Sequence, residues 1–110
     1  MMGPTSLPTH TGRFGLVAAV APTVYRLLTD RLGVSPELLG PHVALGDDLA
    51  VDSLDLLEVV IELESAFGIV VPERELDRLR TVADLVHVIA KYRWERDHPE
   101  PFRRRTSAAA

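Results

Sequence analysis

The 110-residue sequence contains no cysteine. That absence excludes disulfides, thiolate metal sites and a cysteine nucleophile, and leaves the redox compartment open. Aromatic residues make up 5% against 46% for all hydrophobic residues, so the core must be aliphatic, built from Leu, Val and Ile. No apolar run is long enough to span a membrane. The stretch from Phe14 to Ala21 follows one positive side chain, Arg13, and loosely imitates a signal peptide. Its apolar core is at the short limit and Pro22 would follow the cut, so it reads as the approach to a helix and the protein as cytoplasmic. Also missing are a Gly-x-x-x-x-Gly-Lys-Ser/Thr phosphate loop, a His-Glu-x-x-His zinc site, a Gly-x-Gly-x-x-Gly turn and a Gly-x-Ser-x-Gly elbow. Neither an internal repeat nor an alternating strand pattern is visible.

The charge is divided unevenly. The formal net charge is −4, but residues 45–90 hold eleven acidic side chains against three arginines, whereas residues 91–110 hold six basic and three acidic ones. An acidic centre argues against nucleic acid as a partner and favours basic protein surfaces. The basic end sits among Pro and Ala and reads as a solvated, disordered tail over residues 95–110. Residues 1–13 carry Gly, Pro and Thr without periodicity and read as a disordered leader, leaving 14–94 as the domain.

Within the domain, Val20, Val24, Leu27, Leu28 and Leu32 recur at helical spacing. A first helix is expected over 22–32, with Pro22 in its first turn and Gly33 past its end. If it reached back to Leu16, Pro22 would bend it. Residues 34–50 form a long connection, expected to be pinned by Val34, Leu38, Leu39, Val43, Leu45 and Leu49, with a helical turn after Ser35. A second helix follows over 53–67, ended by Gly68, and 69–71 suits an extended link. Pro72-Glu73-Arg74-Glu75 opens a short third helix, and Thr81-Val82-Ala83-Asp84 resembles a capping box for a fourth. Val82, Leu85, Val86, Ile89 and Tyr92 form the apolar face of the fourth, which fades near 94–98 before Pro99 and Pro101. The expected fold is all-α: a small four-helix bundle, three long and one short, with a long loop between the first and second helices.

Ser53 stands at the loop-to-helix junction, where a side chain is exposed and backbone N–H groups lack helical partners. Asp52 is placed to cap the second helix, with Asp55 three residues on. Two carboxylates without a calcium-loop spacing read as caps, not metal ligands. A serine hydrolase needs a base, and the scattered histidines offer only His42 in the loop, a weak signal. On a helical wheel Leu56, Leu57, Val59, Val60, Leu63 and Phe67 form the core stripe, while Asp55, Glu58, Glu62 and Ser65 share the opposite arc. Leu54 and Ile61 border the acidic arc, either as scattered surface apolarity or as anchors of a contact surface. Glu64 falls inside the apolar arc, a misfit.

An exposed serine at a helix start, without a base and beside an acidic face, is what a carrier needs. Asp52-Ser53-Leu54 matches the Asp-Ser-Leu attachment motif of the acyl carrier protein family, and the resemblance extends over residues 20–91. Leu45-Gly46-Asp47-Asp48-Leu49 is similar to the family's Phe-x-x-Asp-Leu approach. Asp55, Glu58, Val59, Glu62 and Phe67 resemble its recognition helix, Ile69-Val70-Val71-Pro72 its Ile-Pro link, and Thr81-Val82 the start of its last helix. The resemblance implies an acyl-carrier-like bundle, non-catalytic by itself, that bears 4′-phosphopantetheine on Ser53 between Asp52 and Leu54. The group would come from coenzyme A through a separate Mg²⁺-dependent phosphopantetheinyl transferase, and acyl intermediates would ride on it as thioesters.

Leu54, Asp55, Glu58, Ile61 and Glu62 would contact acyl-loading, condensing and tailoring enzymes through their basic docking surfaces. The carrier would be a monomer, serving fatty acid, polyketide or related biosynthesis. An aminoacyl or peptidyl carrier is the alternative, although Asp52 counts against it. So is an unmodified carrier-like interaction subunit. Two departures stand out: Ala50 replaces a frequent glycine, where a positive φ would be disfavoured, and Ser65-Ala66 interrupts an acidic cluster. The leader and tail suggest a dedicated pathway or an extra docking element.

Overall fold

The computed structural model describes the backbone of residues 3–98 and the side chains of residues 15–98. Helix α1 spans Gly3–Leu32, α2 Ser53–Phe67 and α3 Val82–Asp97; a 3₁₀ turn, Pro36–Leu38, follows α1, and a short 3₁₀ helix, Glu73–Arg78, precedes α3. This is the expected bundle of three long helices and one short one, with a long loop (33–52) after α1 and its helical turn after Ser35.

The first helix is longer than expected. It runs unbroken through Pro22 and back to Gly3, into the stretch read as a disordered leader. Once 16–32 is helical and packed, extending a helix costs much less than starting one, so a segment of poor propensity can be carried along. Pro22 sits on the exposed side of α1, where its missing N–H is least costly. At the other end Gly33 adopts φ 69° and its N–H bonds the carbonyl of Thr29 at 2.9 Å, a left-handed stop that suits glycine. Helix α3 ends at Asp97 with His98 as its cap, so residues 95–97, assigned from sequence to the tail, belong to the helix. The rest of that tail, including Arg103, Arg104 and Arg105, lies outside the described residues.

The core is aliphatic. Val20, Val24 and Leu28 of α1, Val59, Val60 and Leu63 of α2, and Val82, Leu85, Val86 and Ile89 of α3 are all buried. Leu27, Leu32 and Tyr92 flank it, partly buried. Helices α1 and α3 share the long seam, and α2 meets each over a shorter one. Two expectations change as a result. Leu57, assigned to the core stripe, is 40% exposed, because the buried arc of α2 is narrow and ends at Val60. Leu38, expected to pin the long loop, is 61% exposed. The loop is held instead by Leu39 and Leu45, both buried, and by a two-bond antiparallel bridge to the entry of α3. In that bridge Leu45 N–H donates to the Arg80 carbonyl at 2.8 Å and Val82 N–H to that of Val43 at 2.9 Å.

Candidate functional site

The loop before α2 is folded tightly on itself. The Asp48 carboxylate accepts from the Ala44 N–H at 2.8 Å, and the N–H groups of Ala50 and Val51 bond the carbonyls of Gly46 and Leu45. Those bonds force Ala50 to φ 59°, the left-handed conformation that the sequence flagged as disfavoured for alanine. The chain then enters α2 through a capping box: Asp52 Oδ1 accepts from the Asp55 N–H at 2.8 Å, and Asp55 Oδ2 faces the Asp52 N–H at 3.4 Å. Asp52 and Asp55 therefore orient the first turn, as their spacing suggested.

Ser53 is the first residue of that turn and is exposed. Two open grooves meet at it. One, of about 660 Å³, runs between the Ala44–Asp47 loop and Leu76, Leu79 and Thr81; the other, of about 560 Å³, runs between Leu56 and Leu57 of α2 and Glu73, Arg74 and Leu76. No histidine lines either groove. No group of acidic or histidine side chains that could hold a metal ion occurs among the described residues.

A covalently attached phosphopantetheine fits these features. The Ser53 side chain is free to be modified, the helix start favours an anion, and the flanking grooves are roomy enough for an extended arm. The carboxylates of Asp52 and Asp55 already occupy the capping positions, and they offset part of the dipole's attraction for a phosphate.

A family model described as "Phosphopantetheine attachment site" matches residues 22–89. The chain belongs to the acyl carrier protein family. It is similar to acyl carrier proteins of Syntrophobacter fumaroxidans, at 37% identity over 68% of this chain and 93% of that protein, and of Rubrobacter xylanophilus, at 36% over 63% and 85%. The crystal structure of an acyl carrier protein from Thermotoga maritima has the same fold, with a TM-score of 0.58 over 76% of this chain and 92% of that one, at 23% identity. As a member of this carrier family the protein is not an enzyme, and its cofactor is 4′-phosphopantetheine.

The remaining residues singled out in this acyl carrier protein lie along α2. Leu54 and Ile61 are 63% and 49% exposed, so both stand clear of the core. Glu58 and Glu62 are exposed but not free. Arg31, in the last turn of α1, donates from Nη2 to Glu58 at 2.7 Å and from Nη1 to Glu62 at 2.6 Å. That pairing crosses from one helix to another and left no trace in the sequence. The misfit at Glu64 is also resolved: its Oε2 accepts from the Val71 N–H at 2.7 Å, tying the link after α2 back onto the helix.

A further paired carboxylate anchors the short 3₁₀ helix that walls the grooves at Ser53. Glu75 is buried, and its Oε2 accepts from the Tyr92 hydroxyl at 2.6 Å and from Lys91 Nζ at 3.3 Å. The hydroxyl bond holds the Glu75 carboxyl below the usual carboxylate range, and burial beside Glu75 pushes the Tyr92 phenol up to about 12. Sequence reasoning took Glu75 for a first-turn acid and Tyr92 for an apolar residue. Their seventeen-residue separation offers no local signal.

Proposed function

We propose that this carrier is loaded on Ser53 and delivers acyl intermediates to enzymes of fatty acid, polyketide or related biosynthesis, with residues 14–94 as the carrier domain. The observation that carries this reading is the exposed Ser53 at the first position of a capped helix, with open grooves on both sides and no histidine in either. When bound, the phosphopantetheine supplies a terminal thiol on a long arm, which holds acyl groups as thioesters. The protein's own part is to orient and present. Asp52 and Asp55 hold the first turn, so that the exposed Ser53 is presented to an incoming transferase. The transferase provides the activation that the chain lacks. Leu54, Asp55, Glu58, Ile61 and Glu62 form the docking face of α2, an apolar strip edged by carboxylates that suits transient contacts with several enzymes.

The loading reading is tested by incubating the protein with coenzyme A, Mg²⁺ and a broad-specificity phosphopantetheinyl transferase, then measuring intact mass. One phosphopantetheine increment is expected on the wild type and none on Ser53→Ala. A wild type that gains no mass would favour an unmodified interaction subunit.

A further inference from the structure

The docking face of α2 differs from a plain acidic helix because it carries its own counterion. Glu58 and Glu62 are one helical turn apart, and the planar Arg31 guanidinium spans them, one nitrogen to each carboxylate. The three side chains share a shallow groove between α1 and α2 whose other lining residues are Asp30, Leu32, Asp55 and Val59, so Arg31 is its one cation. Helix α2 has no basic residue of its own. Beside this cluster, Leu54, Leu57 and Ile61 are 63%, 40% and 49% exposed and recur at three- and four-residue spacing, which aligns them as one apolar strip.

We propose that Arg31 is a specificity-determining residue: it competes with a docking enzyme's cations for Glu58 and Glu62. The partner that fits is then an enzyme surface with an apolar notch for Leu54, Leu57 and Ile61, not a broadly basic surface. The inference rests on α2 being the docking helix. A lysine or arginine arriving at Glu58 or Glu62 must first displace Arg31. It exchanges one solvent-exposed ion pair for another, and such pairs differ little in strength. Burying the apolar strip requires no displacement, and an apolar strip rimmed by charge marks a contact site. Because charge accelerates encounter to the extent that it is uncompensated, association with this carrier depends less on salt than it would without Arg31.

The experiment follows kcat/KM for loading of Ser53 by a purified phosphopantetheinyl transferase, read by intact mass. It spans about 20 to 500 mM NaCl, over which the screening length falls from roughly 20 to 4 Å. For the wild type the value falls with salt, but less steeply than for the variant that lacks the Arg31 charge. Arg31→Gln uncovers both carboxylates. It raises the low-salt value about three- to tenfold, steepens the salt dependence, and converges on the wild type at high salt. Arg31→Lys keeps the charge but not the fork, and falls between the two. Leu57→Asn lowers the value about tenfold at every salt concentration.

Circular dichroism checks that each variant is folded, which an exposed ion pair of this kind leaves intact. Superimposed salt profiles for the wild type and both Arg31 variants, with Leu57→Asn still impaired, would overturn the counterion role and leave the docking helix standing. Profiles unchanged in all the variants would remove the docking helix, and this inference with it.

Discussion

Ala50 stores the strain of the site. Its φ of 59° is the one positive value at a non-glycine residue among the described residues, and it lies two residues before the cap of α2. An L-residue with a Cβ is less stable in that region by roughly 1–2 kcal/mol. Glycine removes the clash but gives back part of the gain through its freer unfolded chain. Ala50→Gly should therefore stabilise the protein by about 0.5–1 kcal/mol, seen as a higher urea midpoint with unchanged slope. The resemblance to the carrier family pointed to this position through its frequent glycine, and the φ preference behind it is a local property. Leu57 was misjudged at the same scale for the opposite reason: a wheel gives a direction, but how wide an arc is covered depends on the neighbours.

At the scale of the element, α2 is organised differently at its two ends. Its start is legible, since the Asp52–Asp55 box is a contact between residues three apart. Its end depends on distant groups. Gly68 turns left-handed at φ 66°, Arg96 of α3 donates to the Phe67 carbonyl at 2.5 Å, and Glu64 accepts from the Val71 N–H at 2.7 Å. Removing that acceptor strands a part-buried backbone donor, so Glu64→Ala should cost roughly 1–3 kcal/mol, and Glu64→Gln, which keeps an oxygen, markedly less. Chemical denaturation of the two variants checks the difference. Amide exchange at Val71 should rise sharply only in the alanine variant.

For the molecule as a whole, the Glu75–Tyr92 bond joins the short 3₁₀ helix to α3 and thereby holds one wall of both grooves at Ser53. The lowered Glu75 pKa adds stability that is present above the ordinary carboxylate value and lost as pH falls through the folded one. The Tyr92 phenol, raised from 10.0 to about 12, adds stability that is complete below 10.0 and lost as pH rises toward 12. Tyr92→Phe should cost roughly 1.5–3 kcal/mol at neutral pH, because it removes a hydrogen bond to a charged, buried group. It should also abolish the Tyr92-dependent decline above pH 10, which urea midpoints measured against pH would reveal.

The sequence by itself determined that three long helices and a short one form, the caps that start the second and the last, the exposed serine and most of the aliphatic faces that pack together, but not how far the first helix reaches back. These follow from periodicity and from contacts within one turn, which act before any tertiary structure exists. Only the tertiary structure decided which charges are spent inside the molecule. Arg31 reaches Glu58 and Glu62 across a helix pair, Glu75 reaches Tyr92 across another junction, and Glu64 holds the link that follows its own helix. It likewise set the packing angle that leaves Leu57 outside the core. Contacts between residues far apart in the chain depend on how the helices dock, and no local pattern in the sequence encodes that.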